Sequence, residues 1–144
     1  MIVLLSIKPE YADKIFSGKK KFEFRKSIFK NTDIEKVVVY ASSPVQKVIG
    51  EFTIADILND DIEKIWNKTA QYSGITKDFY LSYFANKEKA YAIKIGKTKR
   101  YRQARNLSDY NLRFAPQSFA YIPTIWNSHL NPTCRTNRKP YSLL

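Results

Sequence analysis

Cysteine and histidine are almost missing from this chain, with one of each, Cys134 and His129. A single cysteine cannot form an intramolecular bridge, and one histidine leaves no His/Cys cluster with metal-ligand spacing. No zinc site and no cofactor are expected. Long apolar runs are missing too. The longest, residues 1–6, falls far short of a membrane span or a secretory h-region, and Lys8 and Pro9 end it. No membrane partner is expected, and a lone thiol suits a reducing compartment, so the reading is a cytoplasmic protein. The chain also has no internal repeat, linker or low-complexity segment. At 144 residues it fits one ordinary domain, long enough to bury a core without staples.

Acidic residues are scarce relative to basic ones: 13 Asp and Glu face 25 Lys and Arg, a net charge of +12. That excess produces a field that attracts phosphates and speeds encounter with a polyanion, without any sequence preference. Nucleic acid is the partner it fits. A basic solubility device is the bland alternative. Aromatic residues, at 15%, lift the chain well away from disordered compositions.

Periodicity divides the chain into short elements. Residues 2–7 form an apolar run of β-formers, hence a buried first strand. Pro9, Glu10 and the spacing of Tyr11, Ala12, Ile15 and Phe16 predict a helix that Gly18 ends. Residues 21–26 alternate, which is strand periodicity. Further strands are predicted over 36–40 and 47–57, the latter with Gly50 marking a bulge or barrel corner. Ile62, Ile65 and Trp66 make one helical stripe. A second helix over about 76–84 has Thr76 as its cap. Residues 90–95 read as a strand, and the last third as irregular and basic, with a final apolar run around 119–125. The order β-α-β-β-β-α-α-β-β suits an α+β, mainly β fold: a small barrel or strongly curved sheet with helices at its ends. The globular part is read as residues 1–126, and residues 127–144 as a basic tail.

Two segments carry chemistry. In Gly18-Lys19-Lys20-Lys21-Phe22-Glu23-Phe24-Arg25, strand alternation puts Lys21, Glu23 and Arg25 on one face and the two phenylalanines on the other. Lys20, at the turn into the strand, can point the same way. A carboxylate between cations would orient Arg25 for a bidentate phosphate contact. An exposed, salt-bridged strand face is the competing reading. The second segment holds Lys94, Lys97, Lys99, Arg100, Arg102 and Arg105 among Tyr91 and Tyr101, cations for phosphate beside rings for unpaired bases. A solvated loop is the alternative there. Tyr40, Ser42 and Ser43 offer hydroxyls at the end of a buried strand, although Tyr40 also suits the core.

The first segment matches G-x-K-x-x-E-x-R, and through it the chain resembles the ASCH family. Agreement extends to Leu4-Leu5-Ser6-Ile7-Lys8-Pro9, Val39-Tyr40-Ala41-Ser42-Ser43-Pro44, Ile49-Gly50-Glu51-Phe52 and Ala90-Tyr91-Ala92-Ile93-Lys94-Ile95. Pro116-Gln117-Ser118-Phe119 is similar to a closing element in a phage- and plasmid-associated branch of proposed regulators. The resemblance implies a PUA-like β-barrel with the signature lining a cleft, and nucleic acid as ligand, RNA favoured over DNA. Its members include binders, ribonucleases and amidohydrolases of modified nucleosides. The expected function is therefore nucleic-acid binding, with Lys20, Lys21, Arg25, Tyr40, Ser42, Ser43, Lys97, Lys99, Arg100 and Arg102 as the contact set. The alternative is a metal-independent hydrolase using Lys20 and Glu23, with Asp78 on the second helix as a further acid. In amidohydrolase-type relatives the signature lysine maps onto Lys20, while the position of Glu23 is a threonine in some. His129 and Cys134 lie outside the matching blocks and are read as incidental.

Overall fold

The structure, a computed structural model, describes residues 1–123. Six strands form one mixed sheet: β1 (Ile2–Ile7), β2 (Phe22–Arg25), β3 (Lys36–Ala41), β4 (Lys47–Asp61), β5 (Lys89–Arg105) and β6 (Phe119–Ile122), in the spatial order β2-β5-β4-β3-β1-β6. Helix α1 (Pro9–Phe16) follows β1, and α2 (Ile62–Thr69) and α3 (Lys77–Tyr83) connect β4 to β5. The predicted element order is the observed one. None of the described helices is long and apolar enough to cross a membrane.

β1 and β3 pair in parallel in the middle of the sheet, and both faces of each are covered. Val3, Leu5, Ile7, Val37 and Val39 pack on one side with Ala12 and Ile15 of α1; Ile2, Leu4 and Val38 pack on the other with Val48, Tyr110 and Ile122. Burial on both faces is why these strands read as continuous apolar runs and not as alternation. A third cluster joins Phe22 and Phe24 of β2 to Ile65 of α2, Tyr80 and Phe84 at α3, and Ala90 and Ala92 of β5. Its rings meet edge to face, with Phe24 and Tyr80 centroids 5.2 Å apart.

Bulges bend the long β4–β5 ladder. The pairing shifts register around Gly50 against both β3 and β5. A Cβ on Gly50 would stand 2.5 Å from the Phe16 ring and 2.7 Å from the Lys99 carbonyl oxygen, so helix and sheet approach here only because the side chain is absent.

One expectation differs. The stretch after residue 95 is no irregular segment: β5 continues to Arg105. Beyond Ile95 this strand is paired, among the described residues, only with β4, since β2 opposes it no further than Lys94. Side chains on such an edge are exposed on both faces, apart from Tyr101 and the half-buried Arg105, and the period-2 signal is lost among the charges.

Among the described residues the backbone ladder does not close, because β2 and β6 are its edges. The sheet nevertheless curls enough for Arg25 on β2 to bond Ser118, next to β6, which makes it barrel-like.

Candidate functional site

Where the open edges approach each other, a cavity of about 430 Å³ lies between β1, β2, α1, α3 and residues 115–117. Among its walls are Lys20, Glu23 and Arg25 of the signature, together with Tyr40 and Ser42 from the end of β3.

Helix α1 delivers Lys20. After Ser17, Gly18 takes a φ of +84°, a conformation open to glycine and costly for other residues. The chain then turns, with the Lys19 and Lys20 amides both donating to the Lys14 carbonyl. This directs the Lys20 side chain inward, where it is 2% exposed. Its stem lies against Gly74, φ +72°, where a Cβ would meet Lys20 Cβ, Cγ and Cδ at 2.7–2.9 Å. Its Nζ donates to the Ser73 carbonyl oxygen at 2.6 Å and sits 4.8 Å from the centroid of the Phe24 ring. Burial dominates its titration: the ammonium is pushed down to about 8, Glu23 opposing the shift and Lys14 and Arg25 adding to it.

Glu23 and Arg25 follow on the same face of β2. Their side chains form an ion pair, Oε2 to Nη2 at 3.0 Å, each only 10% exposed. Arg25 spends its other contacts on the protein. Nη2 donates to the Ser6 carbonyl oxygen at 2.9 Å, and Nη1 reaches the carbonyl and hydroxyl oxygens of Ser118 at 3.4 and 3.3 Å. Nε is buried without a hydrogen-bond partner among the described residues. The expected bidentate phosphate fork is therefore not presented: Arg25 braces the fold and orients Glu23.

Lys21 departs from the expected face. It precedes the strand, is exposed, and its Nζ lies 4.7 Å over the Tyr72 ring, outside the cavity. Lys20 takes the inward place because the tight turn, and not strand alternation, sets direction there. Ser43 is exposed and also outside the lining. Asp78, in the first turn of α3, is exposed and does not line the cavity.

Lys97, Lys99, Arg100 and Arg102 are exposed on the outer half of β5, away from the cavity lining. Arg100 is engaged with Asp13 of α1 at 3.1 Å. His129 and Cys134, and the boundary between residues 126 and 127, lie outside the described residues. No group of three or more His, Cys, Asp or Glu able to hold a metal occurs among the described residues.

Sequence reasoning missed the aromatic wall. Tyr11 of α1, with Phe79 and Tyr83 of α3, line the cavity, their rings in a row with centroids 5.7 and 6.5 Å apart. Burial pushes the Tyr11 and Tyr83 phenols up, so both keep their protons at neutral pH. The signal was a surplus: α3 carries more aromatics than one buried stripe needs, and Phe79 remains 37% exposed.

The ASCH domain model matches residues 5–99. A region of the large ribosomal subunit protein uL22 of Ureaplasma parvum is 34% identical over 123 residues, 83% of this chain and 39% of that protein. An ASCH domain-containing ribonuclease of Zymomonas mobilis is 34% identical over 90 residues, 62% of this chain and 61% of that protein. The chain thus spans less than two thirds of each of these relatives. The crystal structure of ASCH from Zymomonas mobilis superposes with a TM-score of 0.82 at 28% identity, covering 90% of this chain and 92% of that one. With the family model covering well over half its length, and the signature residues gathered around one cavity, this chain belongs to the ASCH domain family.

Proposed function

We propose that the chain binds single-stranded RNA, holding one nucleotide in the cavity while exposed cations hold the flanking backbone. The observation that carries this reading is the cavity itself: a row of aromatic rings beside buried Lys20 and the Glu23–Arg25 pair, in a chain of net charge +12. Unpaired bases stack on such rings, and phosphates are drawn by the field. Lys97, Lys99 and Arg102 on the outer half of β5 are exposed, and serve the sequence-independent part. Anisotropy titration of labelled single-stranded RNA at low salt in EDTA tests it, with a DNA of the same sequence as the comparison. RNA should bind, and single nucleotides should compete. A regulatory role would follow from binding without turnover.

A second reading, metal-independent cleavage, is favoured by two observations: a relative named as a ribonuclease and a buried cavity lysine whose ammonium burial pushes down to about 8. Neutral Lys20 would accept the ribose 2′-hydroxyl proton as that oxygen attacks the adjacent phosphorus. The 5′-oxygen then leaves with a proton from solvent and a 2′,3′-cyclic phosphate remains. Appearance of that product in EDTA, and its loss in folded Lys20→Met at protein concentrations that saturate the RNA, is the test.

A further inference from the structure

We infer that Glu23 selects the base in the cavity, accepting a hydrogen bond from an exocyclic amino group, so that cytosine and adenine are held in preference to their carbonyl counterparts uracil and hypoxanthine. The inference rests on the RNA reading above and specifies the ligand edge that the site takes.

An anionic side chain 10% exposed in the lining of a phosphate pocket would be misplaced, and Arg25 does not redeem it. Its terminal nitrogens are directed at Ser6, Ser118 and Glu23, which leaves no outward fork for a phosphate. The polar floor is therefore not a phosphate clamp. It is a carboxylate held in place by an arginine, beside a lysine whose Nζ is engaged by the Ser73 carbonyl oxygen.

That carboxylate faces Arg25 through Oε2, and no hydrogen bond to Oε1 occurs among the described residues, which leaves it for a ligand. A carboxylate only accepts hydrogen bonds, so it attracts an amino group and repels a carbonyl or phosphate oxygen. The rest of the wall suits a planar ring: Tyr11, Phe24, Phe79 and Tyr83 present aromatic surface around about 430 Å³, within the range of small-ligand sites. Phosphate then belongs at the mouth. Lys8 lines the cavity, is exposed, and carries its Nζ 5.9 Å over the Phe79 ring. The base enters with its amino edge toward Glu23 and its phosphate remains near Lys8.

Glutamine at this position supplies a sharp contrast. Its carbonyl oxygen can keep the Arg25 contact, which turns its amino group, a donor, toward the ligand and favours a base carbonyl instead.

The test is anisotropy titration, in EDTA at low salt, of a labelled RNA backbone of abasic residues bearing one central base: cytosine, uracil, adenine or hypoxanthine. Wild-type protein should favour cytosine over uracil and adenine over hypoxanthine by about tenfold, the scale of one charge-assisted hydrogen bond. Glu23→Gln should abolish or reverse both preferences. Equal affinity for the members of each pair in the wild type overturns the inference while leaving RNA binding intact, as does a preference that survives unchanged in folded Glu23→Gln. If the variant does not fold in a thermal melt, the wild-type comparison decides alone. Failure to bind these RNAs and a longer single strand alike would remove the RNA reading, and this inference with it.

Discussion

Arg25 Nη2 donates to the carbonyl oxygen of Ser6 at 2.9 Å, joining β2 and β1, two strands that share no backbone ladder. Ser118, beside the opposite sheet edge, accepts from the same guanidinium, and Ser6 itself donates its hydroxyl to the Pro116 carbonyl at 2.7 Å. Side-chain bonds thus stand in where backbone pairing stops. The signature arginine shapes the cavity as much as it lines it.

Arg25→Ala should accordingly cost stability before it costs anything else. Removing one partner of a buried ion pair leaves Glu23 uncompensated, an effect of about 3 kcal/mol or more, read as a lower urea midpoint with unchanged m. Arg25→Lys should recover only part of the loss, since an ammonium cannot span Ser6, Ser118 and Glu23 together.

Gly74→Ala should disturb the site from outside it. The substitution forces a Cβ into a φ of +72° and against the Lys20 stem, at a cost of about 1–3 kcal/mol. RNA affinity should fall together with the melting temperature, because Lys20 must shift. Gly18→Ala, with open space around its Cβ, should strain the turn without crowding the lysine.

Lys20 makes stability depend on pH in an unusual direction. Its folded pKa, about 8, lies below the ordinary lysine value. Below pH 8 both states bind the proton and the burial penalty is present in full. Between about pH 8 and 10 the unfolded chain binds more protons, so stability rises with pH. Above that window buried tyrosines oppose the trend, Tyr80 being pushed up to about 12. Thermal melts should show wild-type protein gaining on Lys20→Met from pH 8 to 10. Parallel curves would show that Lys20 titrates normally.

Affinity for RNA should separate the cavity from the bulk charge. Lys20→Ala should weaken binding by about 1.5–3 kcal/mol, the range for a charge-assisted contact, whereas Lys97→Ala or Lys99→Ala removes a screened surface charge worth about 0.5 kcal/mol. Titrations at several salt concentrations should add a steep common dependence, log K falling by roughly 0.7 per neutralised phosphate against log salt. Equal small effects from all three substitutions would confine binding to a diffuse basic surface.

Much of this protein was legible from local sequence. The buried strands β1 and β3, the proline at the start of α1, the Gly18 stop, the Thr76 cap accepting from the Phe79 amide at 3.1 Å, and the bulge at Gly50 all follow from interactions within a few residues or from one missing side chain. The alternation of β2 likewise placed Glu23 and Arg25 on a common face, and the turn before it allowed Lys20 to join them. These are short-range decisions, governed by rotamer, φ and periodicity, and they survive in any tertiary setting. Other features needed the folded chain. The extension of β5 to Arg105 depends on β4 lying alongside it; the aromatic wall depends on α1 and α3 meeting across the cavity; and the lowered pKa of Lys20 depends on Ser73 and Gly74, more than 50 residues away, closing over its stem. Above all, sequence alone determined that a carboxylate and an arginine would share one strand face, but only the tertiary structure decided their partners. It brought Ser6 and Ser118 to the guanidinium, because side-chain donors are claimed by whatever acceptors folding places nearest, and it set the carboxylate beside that guanidinium in the cavity lining.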